Sequence, residues 1–140
     1  MRGVTFGNKH SYRTWGLLLK HYPVFALPNP KIKLIEVPGS DKVIDLTESL
    51  TGAVHYGTRK GKFEFVIAEK RQNWQSTYSE IANYIHGKRM EITMDDDPNY
   101  YFVGRVKVDE WESDKAAATI VLTAEVEPYK YQRHGEGRRL

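Results

Sequence analysis

The sequence contains no cysteine, which excludes disulfide bridges and thiolate metal sites. Its formal net charge is only +3, and acidic and basic residues are interspersed, so it lacks the basic stripe typical of nucleic-acid binding. Long apolar runs are missing as well: runs such as 17–19 and 119–122 are far too short to span a bilayer. The N-terminus lacks the continuous apolar region of a signal peptide. We therefore expect no membrane partner.

The patterns that mark catalytic and metal sites are also missing. An EF-hand frame started in the acidic run 95–97 fails, because Tyr100 and Val106 occupy the positions that require Gly and Glu. There is no G-x-S-x-G nucleophile motif. The histidines are scattered and form no metal-binding pair at short spacing: His10, His21, His55, His86 and His134. We predict that the protein is not an enzyme and has no catalytic residues, no cofactor and no metal.

One stretch of the chain carries a clear helical pattern. Apolar residues recur at steps of four, three and four, which places them on one face of a helix at about 74–86: Trp74, Tyr78, Ile81 and Ile85. Asn73 is placed to cap the start of this helix with its side-chain oxygen. Gly87 is placed to end it in the left-handed conformation.

The rest of the chain reads as strands and turns. Short strands are expected near 16–22 and 31–37, and at 43–46 and 50–56. Residues 58–61 look like a basic turn. Four later segments alternate apolar and polar residues with the period of a half-buried strand: 62–68, 89–94, 100–111 and 116–126.

Alternating strands joined by short turns favour antiparallel pairing. The predicted fold class is therefore α+β and mostly β, with two packed antiparallel sheets, either a β-sandwich or a partly open barrel, and one α-helix. Its length suits a single domain, which we place at 1–131. The polar, glycine-containing segment 132–140 is predicted to be a disordered tail.

Aromatic residues are plentiful, and some are not needed for the predicted core. Tyr100, Tyr101 and Trp111 belong to the same predicted strand and lie near Arg105 and Lys107. Exposed aromatic rings next to cations can stack on sugars or bases. They can equally anchor a protein interface, where Tyr and Trp are enriched. A β-barrel module that binds oligosaccharide or single-stranded nucleic acid is therefore the alternative function.

Five segments, taken in order, resemble one known family. They are GVTFGNKHSYRTWGLLL at 3–19, DLTESLTG at 45–52, YSEIANYIHGKRM at 78–90, DDDPNYYFVGRV at 95–106 and AEVEPYKY at 124–131. Each segment alone is unspecific, but their order makes the match strong. Together they are similar to the N-terminal, ring-forming domain of siphophage distal tail proteins of Gram-positive hosts.

This resemblance implies a structural role in a virion. Such proteins form a hexameric ring at the distal end of the tail tube, with a tail-tube-like fold. The implied partners are other copies of the chain, the major tail protein above and a tail-associated fibre or lysin protein below. The tape measure protein passes through the lumen, as does DNA in transit. The implied location is the virion tail tip or baseplate, after synthesis in the cytoplasm of the bacterial host.

The sequence departs from the family pattern after residue 131. Fuller members continue there into a second, often galectin-like domain, whereas this sequence ends after nine further residues. Carbohydrate binding through a second domain is therefore not carried over to this chain.

A ring subunit must present one surface patch to a different patch on its neighbour. The sequence suggests two candidate regions, the aromatic N-terminal arm and the segment 46–55. The oligomer-interface residues that we predict from them are Phe6, His10, Tyr12, Trp15, Leu46, Thr47, Leu50 and His55.

Overall fold

A computed structural model describes residues 2–49 and 51–140 of the chain. In chain order, the strands are β1 (Val4–Phe6), β2 (Lys9–His10), β3 (Leu17–Leu19), β4 (Leu34–Glu36), β5 (Val43–Asp45), β6 (Arg59–Ile67), β7 (Lys88–Met94), β8 (Tyr100–Ser113), β9 (Ala118–Val126), β10 (Lys130–Gln132) and β11 (Arg138–Arg139). The helices are α1 (Ser11–Trp15) and α2 (Trp74–Ile85), and a 3-10 turn at Arg71–Asn73 precedes α2.

The strands form two antiparallel sheets. The large sheet has the order β2-β1-β7-β8-β9-β6-β3, with β10 attached to the start of β8 and β11 attached to β10. Strands β4 and β5 make a separate two-stranded hairpin. The predicted α+β, mostly β fold with antiparallel sheets and a helix near 74–86 is confirmed.

The large sheet curls into a half-barrel, which is the partly open barrel of the prediction. Strands β1 and β6 are four interstrand steps apart in the sheet, which would be roughly 19 Å on a flat surface. The ring of Phe6 on β1 nevertheless lies 5.4 Å from that of Phe63 and 6.4 Å from that of Phe65, both on β6. The concave face of the sheet thus folds around its own core.

Helix α1 joins the two edges of this half-barrel. Strands β2 and β3 are the outermost strands of the large sheet, and α1 is the only segment between them in the chain. Gly16 ends α1 in the left-handed conformation at φ 67°, which glycine adopts without strain. We call this region, residues 9–19, the seam of the half-barrel. The sequence pattern did not predict α1, because a helix of five residues is too short to show a period.

The inward-facing residues of the central strands match the predicted alternation. Phe63, Phe65 and Ile67 of β6 are buried, and so is every second residue of β9: Ala118, Ile120, Leu122, Ala124 and Val126. Helix α2 covers the open side of this core with the predicted face, since Ile81 and Ile85 are fully buried and Trp74 and Tyr78 pack against the core.

The ends of α2 agree with the prediction only in part. Gly87 has the expected left-handed conformation, with φ of 78°. Asn73, by contrast, makes no side-chain capping bond, because the 3-10 turn runs directly into the helix and leaves Asn73 in a helical conformation. The predicted Asn73 cap is therefore wrong.

A β-bulge interrupts the alternation of β8. Val108 lies opposite Leu122, but Glu110 lies opposite Val121 and Trp111 opposite Ile120, so Asp109 is the extra residue. Without the bulge, Trp111 would point away from the core and the flanking glutamates would point into it.

Three further predictions differ from the structure. The expected strand at 50–56 is absent from its described residues, 51–56, where only Tyr56 makes an isolated bridge to Pro30. The expected basic turn at 58–61 is mostly strand, because β6 begins at Arg59. The tail predicted to be disordered at 132–140 contains the end of β10 and all of β11, which pair with each other.

Candidate functional site

The predicted N-terminal interface residues serve mainly the core of the chain. Phe6, Trp15 and His10 are buried, and only Tyr12 is exposed. Trp15 packs 5.7 Å from the ring of Tyr84. Of the four, only Tyr12 presents a side chain that a neighbouring copy can reach without opening the fold.

His10 holds the seam through hydrogen bonds on both ring nitrogens. Nδ1 accepts the backbone N–H groups of Tyr12, at 3.1 Å, and Arg13, at 3.3 Å, and thus caps α1. The proton must then sit on Nε2, which lies 2.8 Å from the carboxylate of Asp95. Asp95 also accepts the backbone N–H of Gly3 at 2.8 Å. His10 therefore ties α1 to the start of the chain and to the turn after β7.

Replacement of His10 by alanine is expected to lower the free energy of unfolding by about 1–2 kcal/mol, the cost of losing a helix cap. His21→Ala is the matched control, since His21 is exposed and should change stability by less than about 0.5 kcal/mol. Urea titration followed by tryptophan fluorescence measures both. Equal stabilities of the two variants would show that the His10 network contributes nothing.

The second predicted region borders a cleft. Leu46, Thr47 and His55 line a cleft of about 580 Å³ between the loop 46–56 and the C-terminal strands. Leu50, the remaining predicted interface residue, lies outside the described residues. Other residues that line this cleft are Lys31, Lys33, Val54, Tyr56, Pro128, Tyr129 and Arg138. We call this the basic cleft.

The β4–β5 hairpin carries a cluster of exposed apolar side chains. Its pairing puts Ile35 opposite Ile44 on one face, while Leu34 and Val43 lie on the other. These four side chains and Ile32 are between 44% and 59% exposed. An isolated two-stranded hairpin is marginally stable in water, so such a surface indicates an interaction site. Sequence reasoning predicted these strands but not that both faces would be open.

The three aromatic residues of the alternative function do not form one platform. Trp111 packs on Tyr78 at 4.6 Å, near the opposite end of β8 from Tyr100 and Tyr101. Tyr101 lies 5.9 Å from the ring of Tyr131 and carries a guanidinium over its face. The cations stacked on Tyr100 and Tyr101 come from the chain itself and are Lys130, Arg133 and Arg139.

The carboxylates of the acidic turn 95–97 pair with basic side chains of the same chain. Asp95 binds His10, Asp96 pairs with Arg2 at 3.5 Å, and Asp97 pairs with Lys130. The described residues hold no group of three or more potential ligands that could bind a metal ion. Across the same residues, no helix is both long and apolar enough to cross a membrane.

Arg59 is a buried cation that the sequence pattern did not reveal. Its Nε donates to the carbonyl of Ala26 at 3.0 Å and its Nη2 to that of Phe25 at 3.3 Å, and the guanidinium lies 5.1 Å from the centre of the Phe102 ring. Burial lowers the pKa of Arg59. Through these two hydrogen bonds, Arg59 at the start of β6 holds the segment 25–26, which precedes the β4–β5 hairpin, in place.

The sequence and the fold give different results when compared with known proteins. No family model and no curated protein matches the sequence. The fold, however, is similar to that of a solved phage protein. The structure in question is that of Dit from SPP1, described as a paradigm of the hub adsorption apparatus in phages that infect Gram-positive bacteria.

The similarity to Dit extends over nearly the whole chain. It covers 94% of this chain with a TM-score of 0.69, at 11% sequence identity. The chain spans about half of Dit, since the match covers 52% of that protein. At this identity the comparison shows that the chain has a Dit-like fold.

Proposed function

We propose that the chain is a structural protein of a phage or prophage tail whose copies form a hexameric ring at the distal end of the tail tube. The observation that carries this proposal is the Dit-like fold, which covers 94% of the chain. The five segments that resemble distal tail proteins also support the proposal. Their resemblance lies in the amino-acid sequence, and it is therefore independent of the comparison of folds. In this role the ring connects the tube to the baseplate or tail-tip proteins.

The exposed hairpin supports the assembly part of the proposal. Ile35 and Ile44 form an apolar pair that no other strand of the described residues covers. Burying this surface against a neighbouring copy would stabilise both the hairpin and the contact. Tyr12 and the described residues of the segment 46–55 remain candidates for the same interface.

The proposed partners follow from the position of such a ring. The major tail protein would lie above it and a tail-associated fibre or lysin protein below it. The tape measure protein and DNA would pass through the lumen, and the site of action would be the virion tail tip. We propose that the chain has no catalytic activity. No observation favours the alternative of a module that binds carbohydrate or single-stranded nucleic acid, because Trp111 is separated from Tyr100 and Tyr101.

Replacing Ile35 and Ile44 together by aspartate is expected to abolish ring formation while leaving the half-barrel folded. In this variant the contact would bury two carboxylates in place of the two isoleucine side chains, and removing those charges from water costs free energy. We expect this cost to weaken association by at least about 100-fold. Ile35→Val with Ile44→Val is the matched control, because it keeps the surface apolar. Negative-stain electron microscopy and light scattering over a concentration series measure assembly.

The proposal makes a definite claim about the unmodified chain. Rings should be visible for the wild-type protein and for the valine variant, with circular dichroism unchanged in the aspartate variant. A wild-type chain that stays monomeric at millimolar concentration, even with the tail-tube subunit added, would contradict the proposed function.

A further inference from the structure

The basic cleft has an unbalanced charge. It is lined by Lys31, Lys33 and Arg138 together with His55, and by no carboxylate of the described residues. None of these three cations makes an ion pair with the described residues. The guanidinium of Arg138 lies 4.3 Å from the centre of the Tyr129 ring, which holds it at the rim. The cleft is thus suited to an anionic occupant.

Among the acidic residues near the cleft in the chain, three have partners, whereas Glu48 and Glu136 are exposed. Asp45 accepts hydrogen bonds from the backbone and the hydroxyl of Thr47, which lower the pKa of its carboxyl. Glu125 accepts from Thr58 at 2.8 Å. Glu127 pairs with Arg89 and accepts from Tyr131. Asp45, Glu125 and Glu127 therefore engage groups other than the cations of the cleft.

The far end of the β8–β9 hairpin carries the opposite charge. Residues 109–115 include four carboxylates, Asp109, Glu110, Glu112 and Asp114, and one lysine. All four are exposed, and none makes an ion pair with the described residues. We call residues 109–114 the acidic tip.

The bulge in β8 creates this tip. It turns Trp111 toward the core and leaves Glu110 and Glu112 on the outer face, opposite Val121 and Thr119. Asp114 accepts the backbone N–H groups of Ala116 and Ala117, which lower the pKa of its carboxyl and shape the turn. Three of the four carboxylates therefore lie on β8, and the fourth lies in the turn that follows it.

The basic cleft and the acidic tip lie at opposite ends of the same strands. The cleft includes Pro128, just after β9, and the tip precedes Ala118, where β9 begins. A strand of nine residues spans roughly 30 Å, so the two surfaces cannot meet within one copy. Two copies can bring them together, and a contact between unlike patches builds rings or filaments.

We propose that the acidic tip of one copy docks in the basic cleft of the next, an inference that rests on the proposed function and names a contact within its ring. The cleft is also lined by the apolar residues Leu46, Val54 and Pro128. Charge complementarity of this kind fixes the register and direction of a contact. The chain carries both halves of the contact, which identifies the occupant as a second copy.

Charge reversal with cross-rescue tests this contact. Lys33→Glu and Glu112→Lys are each expected to weaken self-association at least about tenfold, because each places like charges together. An equimolar mixture of the two variants should restore association, since the native tip of one meets the native cleft of the other and the two reversed surfaces complement each other. Lys20→Glu, which changes an exposed lysine outside the cleft, is the control and should associate as the wild type does.

Mass photometry of the single variants and of the mixture gives the readout, with circular dichroism to verify folding. Two variants that assemble like the wild type, or a mixture no better than its components, would overturn the docking contact while leaving ring formation intact. A wild-type chain that never associates would overturn the proposed function and this contact together.

Discussion

Replacement of Phe6 by alanine is expected to lower the free energy of unfolding by about 3–5 kcal/mol. Phe6 is fully buried, and its ring makes edge-to-face contacts with Phe63 and Phe65 across the mouth of the half-barrel. Removing the ring leaves a cavity where β1 meets β6, and these two strands cannot close it without changing the curl of the sheet. Guanidinium titration followed by far-UV circular dichroism measures the loss.

The control for Phe6 comes from the same N-terminal segment. Tyr12 is 37% exposed, and Tyr12→Ala should cost less than about 1 kcal/mol. The pair also separates two roles, because an interface residue would affect association and leave the stability of the monomer almost unchanged. A stable Phe6→Ala subunit with impaired ring formation would contradict the core role.

Gly104→Ala is expected to destabilise the subunit by at least about 3 kcal/mol, or to prevent folding. A Cβ added at Gly104 would lie 2.2 Å from the carbonyl oxygen of Glu125 and 2.5 Å from the Cα of Val126. Both are backbone atoms of β9, so the clash cannot be relieved by a side-chain rotation. The central β8–β9 pairing would have to separate at this point.

Gly57→Ala provides the matched control for Gly104. A Cβ at Gly57 would meet nothing closer than the carbonyl oxygen of Asn29, at 3.8 Å. We expect this variant to be unchanged or stabilised by about 0.5 kcal/mol, because alanine restricts the unfolded chain. Thermal unfolding of the two variants side by side measures the difference, and similar melting temperatures would show that β8 and β9 tolerate a side chain at Gly104.

The predictable part of the fold is the part with a long, repeated pattern. Strands β6 and β9 alternate over nine residues each, and α2 repeats its apolar face over three turns, so burial on one face determines each pattern. Strands β4 and β5 lie within the short strands predicted at 31–37 and 43–46, although the hairpin they form stands apart from the core.

The features that could not be predicted arise from single residues. One extra residue, Asp109, changes which side chains of the last part of β8 point toward the core. The alternation of apolar and polar residues does not show where such a bulge occurs. From the sequence alone, Arg59 is expected to lie on the surface. In the structure it is covered by the segment 24–26, to whose carbonyl groups it donates hydrogen bonds. His10 replaces the usual short polar cap with an imidazole, so α1 had no recognisable start.

The candidate site was predictable only in outline. Leu46, Thr47 and His55 do line one cleft, but its cations include Arg138, which comes from the opposite end of the chain. The acidic tip depends on the bulge in β8. Because the alternation does not show where the bulge falls, neither the tip nor the orientation of Trp111 could be predicted from the sequence. Phe6 and Trp15 looked available for an interface because aromatic residues suit a core and a contact equally well.

The position of β1 in the large sheet has a consequence for the order in which the chain folds. Strand β1 emerges early in synthesis, but it pairs with β7, whose last residue is Met94. The meander β7-β8-β9 needs only short turns, whereas closing the β1–β7 pair must overcome the entropy of a long loop. We therefore expect the N-terminal residues to dock last, after the meander has formed, and to be the first part to exchange their amide hydrogens when the native subunit opens.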